Sequence, residues 1–302
     1  MRLIGERTAH DTRLCIAVSG GPDSMALLFL AVQAFPAQVV AATVDHGLRP
    51  AARAEAEMVG RWCLTQGVKH AILTPSTPIT GSIQASARSV RYELLHHWRE
   101  EQGADWLLTA HHADDQCETM MMRLNRSSGV SGLAAIRGVN GAVLRPLLSW
   151  RRTELAAIVD EQALPHVYDP SNDDVRFDRV AMRKNLAGAD WLDPIAIARS
   201  AAACGDAEEA LGWMADDLAG RYLSRDDGAI ILQKHDFPRE MQRRLLIKML
   251  LMADTGRAPP RGDALDQLLI QLTEGKRAMM GNWLFEGGDS WCLRAAPPRS
   301  VR

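Results

Sequence analysis

The residues best suited to chemistry begin with Ser19-Gly20-Gly21-Pro22-Asp23-Ser24. Paired glycines let a backbone turn sharply and approach a ligand with no Cβ in the way. Pro22 suits a first helical turn, where its missing N–H costs nothing. Free N–H groups at such a helix start favour an anion such as pyrophosphate. Ser19 and Ser24 add hydroxyl donors. Asp23 would repel a phosphate directly, so it is expected to cap the helix or to hold Mg2+ between phosphates. The loop lacks both G-x-x-x-x-G-K-S/T and the dinucleotide fingerprint G-x-G-x-x-G. A loop lysine assists transfer of a terminal phosphate; a loop without one suits pyrophosphate held as a leaving group. A plain serine-capped turn is the competing reading.

A second cluster is Asp45-His46-Gly47-Leu48-Arg49. Asp45 can accept from ribose or adenine, and His46 and Arg49 can donate; Asp45 can equally be a turn former. The third runs Thr109-Ala110-His111-His112 and on through Asp114-Asp115-Gln116-Cys117-Glu118-Thr119. Asp114 and Glu118 share a helix face, and Asp115 and Thr119 share the next. The helix dipole favours carboxylates at such a start, which makes capping the simplest role for Asp114 and Asp115. Adjacent His111 and His112 point differently, which argues against zinc. Arg88 and Arg91, on one face of a long helix, can neutralise phosphates and developing charge. The thirty residues from Arg123 to Arg152 hold six arginines, no Asp and no Glu. Interleaved with Ser127, Ser128, Gly129, Ser131 and Gly132, they suit a nucleic-acid backbone docked beside the chemistry. Arg123, Arg126, Arg137 and Arg145 are the expected RNA contacts; an ordinary solvated loop is the alternative.

The elements that must position these clusters alternate. Short apolar strands at 13–18, 38–44, 68–73 and 105–110 are separated by helices at 25–33, 51–66 and 82–102, and a further helix follows at 113–125. That alternation implies an α/β fold with a parallel sheet covered on both faces. From about Asp190 the chain reads as helical, with a few short strands at 281–293. The expected division is 1–190 and 191–302. A length of 302 residues fits two domains, and 47% hydrophobic with 24% charged residues is ordinary folded composition. Thirty-five basic and thirty-seven acidic residues give a net charge of −2, so the total does not announce a nucleic-acid partner. The five cysteines include no C-x-x-C pair, which removes the sequence case for a structural zinc or a cluster. Their odd count, without a signal peptide, fits a reducing cytoplasm. The apolar stretch 25–44 is interrupted by Gln33, Pro36 and Gln38, so no membrane span is expected.

S-G-G-x-D-S resembles the PP-loop of the ATP pyrophosphatase superfamily, whose members adenylate a substrate oxygen, release pyrophosphate and let a nucleophile displace AMP. Residues 45–49 resemble D-H-x-L-R, and 109–119 resemble T-A-x-H-x-D-D-Q-x-E-T, which puts the family histidine on His112 and its site acids on Asp115 and Glu118. Residues 84–92 resemble E-A-x-A-R-x-x-R-Y with Gln84 for the Glu. R-G-S-G-x-x-G-L falls at 126–133 with Ser127 for a glycine, and R-P-L-L at 145–148. Residues 169–183 resemble D-x-S-N-x-D-x-x-Y-x-R-N-x-I-R with Phe177 for the aromatic and Val180 for the Asn. Together, over 14–187, these motifs resemble the tRNA(Ile)-lysidine synthases.

That resemblance implies a Rossmann-like PP-loop domain of the adenine nucleotide alpha-hydrolase type, followed by a mostly helical domain that grips tRNA. It implies ATP and Mg2+ as cofactors and a cytoplasmic enzyme. The reaction would adenylate the C2 oxygen of the wobble cytidine in a CAU-anticodon tRNA(Ile). L-lysine would then attack, giving lysidine. In the implied site, Ser19 to Ser24 hold pyrophosphate, Asp23 and Asp114 share Mg2+, and Asp45 and His46 lie on the same rim. Arg88, Arg91 and His112 face the α-phosphate. Asp115 or Glu118 orients the lysine ammonium, and one of them takes its proton. A homodimer is compatible with the sequence. Two other readings stay open: a cytidine-thiolating relative, which would want sulfur-carrying cysteines or a cluster, and a non-catalytic nucleotide-binding module.

Overall fold

The computed structural model describes residues 12–47, 51–76, 83–168, 178–256, 260 and 262–296. It divides into two compact units, 1–205 and 206–302. The first opens β1 (Leu14–Ala17), α1 (Pro22–Ala34), β2 (Val39–Val44), α2 (Ala51–Thr65), β3 (Lys69–Leu73), α3 (Ile83–Glu101), β4 (Trp106–Leu108) and α4 (Ala113–Leu124). It continues with α5 (Val130–Leu133), β5 (Val139–Asn140), β6 (Val143–Leu144), α6 (Arg152–Glu161) and α7 (Asp178–Leu186).

Strands β3, β2, β1, β4 and β6 lie side by side in parallel, and β5 closes the edge antiparallel to β6. The inner strands β1, β2, β4 and β6 are largely buried, as a parallel sheet covered on both faces requires, while β3 and β5 lie at its more exposed edges. Leu14, Ile16 and Val18 pack with α1, α2 and α6 on one face. Cys15 points the other way, toward Leu95 and Trp98 of α3. The chain lays β1, β2 and β3 outward in one direction and then returns to place β4 on the other side of β1. Ligands of open parallel sheets bind at the carboxyl ends of the strands beside such a reversal. The loop after β1 and the turn after β4 flank that point.

The arginine-rich stretch is ordered. Ser127 has φ of 53°, the left-handed region that favours glycine, and it replaces the family glycine. Gln116 of α4 pins the stretch: its amide donates to Ile136 O and accepts from Ile136 N–H, both at 2.8 Å. Arg145 is 6% exposed and donates to Arg137 O at 2.7 Å. The expectation that Arg145 meets an RNA phosphate is therefore corrected: its guanidinium is interior and braces the β5–β6 hairpin.

The units divide between residues 205 and 206, within the span of helix α8 (Pro194–Tyr222), and the expected boundary near residue 190 lies ahead of that helix. The second unit adds β7 (Leu223–Asp226), β8 (Ala229–Leu232), α9 (Arg239–Ala253), α10 (Gly262–Thr273), β9 (Arg277–Met280), β10 (Trp283–Glu286) and β11 (Trp291–Ala295). Its strands form an antiparallel sheet in the order β7, β8, β11, β10, β9, more sheet than the sequence suggested. Trp291, Phe285 and Leu232 of that sheet pack on Leu245, Met249 and Leu268 of α9 and α10. No helix among the described residues is long and apolar enough to cross a membrane.

Replacing Gln116 by Met leaves the Ile136 N–H and C=O without their partners. An orphaned buried polar group costs about 1–3 kcal/mol. The urea midpoint of Gln116→Met is expected to fall correspondingly, with the slope of the transition unchanged.

Candidate active site

The phosphate loop is shaped by its own side chains. Gly20 has φ of +85°, and a Cβ there would meet Val167 Cγ2 at 3.3 Å. The Gly20 carbonyl accepts from Val167 N–H at 2.9 Å. Ser24 Oγ donates to Gly21 O at 2.9 Å and accepts from Ser19 N–H at 3.2 Å. Ser19 Oγ accepts from Gly21 N–H at 3.4 Å. The serine hydroxyls thus build the loop here, where the sequence reading gave them to phosphate. No side chain caps α1 from Gly21, and Pro22 opens the helix. The first turn therefore keeps its N–H groups for an anion, the arrangement pyrophosphate needs.

At the neighbouring strand end, carboxylates crowd the start of α4. His112 is its N-cap: Nδ1 accepts from Asp115 N–H at 3.4 Å, and Asp115 Oδ2 accepts from His112 N–H at 3.0 Å. The His112 Nε2 lies 3.5 Å from both Asp23 Oδ2 and Asp115 Oδ2. Asp114 Oδ2 lies 3.6 Å from Nδ1, so one imidazole stands between Asp23 and Asp114. Burial opposes a charge on His112, but the Asp23 and Asp115 carboxylates outweigh it and raise its pKa. Burial works against ionised Asp115 too, yet His112 and Arg179 hold its pKa below the ordinary value.

Arginines from distant segments complete the cluster. Arg179 of α7 donates to Asp115 at 2.6 Å and to Glu118 at 2.8 Å. Arg183 donates to the other Glu118 oxygen at 2.7 Å. Arg151 and the Arg152 N–H both donate to Asp114, which overrides the effect of burial and lowers its pKa. Asp114 is thus already neutralised, while Asp23 faces His112 at the loop mouth. Arg179 and Arg183 belong to the motif block 169–183 and Arg151 to the arginine-rich stretch, but the sequence assigns none of them a site role. A cavity of about 390 Å³ opens here, lined by Asp114, Cys117, Glu118, Arg151, Arg183 and Leu192 among others.

Asp45 and His46 follow β2 on the same rim. Asp45 is buried and accepts from Gly47 N–H at 2.9 Å, as a turn former does. Burial and the charge of Arg91 lower the pKa of His46 against the pull of Asp45, and its buried Nδ1 has no hydrogen-bond partner. Arg88 and Arg91 lie over the Tyr92 ring at 5.2 and 5.6 Å. His111 pairs with Thr109 at 3.0 Å, and burial drives its pKa down to about 4. Leu48, Arg49 and the block 169–177 lie outside the described residues.

A family model for the PP-loop domain matches residues 2–189. A tRNA(Ile)-lysidine synthase of Zymomonas mobilis is 41% identical over 95% of this chain and 89% of its own. That of Novosphingobium aromaticivorans is 40% identical over 94% and 89%. The chain belongs to the tRNA(Ile)-lysidine synthase family, within the PP-loop proteins. Among solved structures, the U34-tRNA thiolase of Methanococcus maripaludis, with its 4Fe-4S cluster, has a TM-score of 0.54 at 17% identity. It covers 63% of this chain and 70% of that one, and shows a shared fold.

Two departures from the lysidine synthase motifs have a physical setting. Val180 replaces an Asn and is buried on α7, where an apolar side chain needs no partner. Ser127 adopts a left-handed backbone, the region a glycine occupies without strain. Of the expected RNA contacts, Arg123 and Arg126 are exposed, and Arg126 also pairs with Asp178 at 2.8 Å. Arg137 is half-buried.

The charge cluster makes stability depend on pH. The pKa of His112 is raised above its ordinary 6.5, so its pairing contributes fully below that value and is lost as pH climbs through the raised one. Asp114 and Asp115 are held below 3.8; their contribution stands above 3.8 and is lost as pH falls through the depressed values. The stability gap between the native chain and His112→Gln is therefore expected to be larger at about pH 6 than at about pH 9. Urea midpoints at the two pH values check this.

Proposed function

We propose that this protein is a tRNA(Ile)-lysidine synthase: it uses ATP to ligate L-lysine to C2 of the wobble cytidine of CAU-anticodon tRNA(Ile), releasing AMP and diphosphate. The observation that carries the reading is the family membership over nearly the whole chain, together with the family's loop, histidine and acids on one sheet rim.

The uncapped start of α1 and the Ser19–Ser24 backbone take the pyrophosphate of ATP. Arg88, Arg91 and His112 face the α-phosphate as charge develops there. Mg2+ is commonly held by one or two carboxylates with phosphate oxygens and water. Asp23, part-exposed beside the loop, fits that donor set; Asp114 is engaged by Arg151 and Arg152 and is not needed for it. Bound there, the ion would neutralise charge on the departing pyrophosphate.

The cavity beside α4 suits free lysine, whose ammonium and carboxylate would exchange with the ion pairs that Glu118, Arg183, Asp114 and Arg151 make along its lining. Glu118 or Asp115 orients the ammonium and takes a proton from it. Arg123 and Arg126 dock the tRNA backbone, and the unit 206–302 contributes further tRNA contacts. The thiolation alternative is disfavoured by the thiols. All five cysteines are free, and burial pushes Cys15 and Cys63 up to about 12.

Labelled L-lysine, ATP and Mg2+ with CAU-anticodon tRNA(Ile) are expected to give lysine incorporated into the tRNA with matching AMP. ATP binding without incorporation would leave a nucleotide-binding module instead. In Glu118→Gln, incorporation is expected to fall about 100-fold or more while pyrophosphate release on tRNA persists. Equal loss of both steps would reject the acid's place in lysine transfer.

A further inference from the structure

Between α7 and α8 the chain makes a short run of fixed turns. Ala187 N–H donates to Arg183 O at 3.0 Å, Ala189 to Leu186 O at 3.0 Å, and Leu192 to Ala189 O at 2.9 Å. Ile195 N–H donates to the Asp193 carboxylate at 2.9 Å. Asp190 and Leu192 line the cavity beside α4, together with Arg151, Arg152 and Arg183. Trp191, between them, is 82% exposed. An indole left in water adds nothing to a core, because its large apolar surface stabilises only when covered. Here it stands on a braced turn whose neighbours Ala189, Asp190 and Leu192 line a cavity shared with Arg151, Arg152 and Arg183.

We propose that Trp191 is a stacking platform for an unpaired base of the tRNA anticodon loop, next to the target cytidine. The proposal rests on the tRNA substrate argued above. Single-stranded loops are read by stacking splayed bases on aromatic side chains. A base that must enter an enzyme pocket leaves its stack, and its neighbour then lacks a partner face. An exposed indole supplies that face for any base identity, while Arg152 beside the cavity favours a backbone phosphate alongside. A protein partner would not need the indole beside the cavity that lines α4.

The test uses the full chain and steady-state lysine incorporation. In Trp191→Ala the KM for CAU-anticodon tRNA is expected to rise about tenfold or more. The KM values for ATP and lysine should hold, and Trp191→Phe should restore most of the loss. A tRNA abasic at the nucleotide flanking the target cytidine should show the same loss with the native chain and no further loss with Trp191→Ala. An unchanged tRNA KM overturns the platform. So does an equal rise for ATP, or a loss confined to lysine, which would make Trp191 a lid. Fluorescence separates this from the function itself: a CAU anticodon stem-loop should quench the native chain more than Trp191→Phe. Equal quenching overturns the platform even where lysine transfer is absent.

Discussion

Carboxylates crowded at the start of α4 must be neutralised, and much of the first unit is arranged to do it. Asp115 and Glu118 are buried there, with Asp114 beside them. Removing such groups from water costs several kcal/mol each unless opposite charges meet them. The helix dipole supplies part of that. The rest comes from His112 at the cap, Arg151 ahead of α6, and Arg179 and Arg183 on α7. A guanidinium suits this work because its planar fork meets carboxylate oxygens and stays charged at any working pH. Removing either member of a buried pair leaves an uncompensated charge, so the arginines and acids stand or fall together. The position of α7 is thereby tied to the site.

The same constraint governs how the site can respond to a ligand. Asp23 and Asp114 sit on opposite sides of the His112 ring, so the phosphate loop and the α4 acids communicate through one imidazole. Asp114 is held by Arg151 and the Arg152 backbone, whereas Asp23 stays part-exposed beside His112. Two aspartates that sequence alone treats as equivalent metal ligands are therefore inequivalent in charge environment.

What was legible in sequence follows from how chemistry constrains local order. The phosphate loop could be read because glycine pair, proline and helix start must be contiguous. The sheet could be read because buried parallel strands are continuous apolar runs. The ion-pair partners could not, since Arg179 lies 64 residues from Asp115 and no local pattern links them. Counting arginines also failed to say which are wet: Arg145 looks like Arg123 in sequence, yet one is interior and the other exposed. The β7–β8 hairpin did carry a signal that was overlooked. Its two-residue turn is Asp227-Gly228, with φ of 44° and 73°, the residue pair that such turns favour.

Thirty arginines against five lysines is a large bias, and part of it serves internal partners. Arg145 serves a carbonyl, Arg151, Arg179 and Arg183 serve carboxylates, and Arg244 serves Glu208 at 2.6 Å. Lysine fills such sites poorly because a compact ammonium cannot hold two oxygens in a fixed plane. Arginines whose charge is cancelled internally contribute nothing to a field that attracts RNA. A basic face must therefore come from guanidinium groups with few carboxylates in reach. In the first unit that description fits Arg123 and Arg126 at the end of α4, both exposed, with Arg126 paired to the exposed Asp178. An exposed pair of that kind is worth at most about 1 kcal/mol, so a phosphate can take Arg126 from Asp178 at little cost.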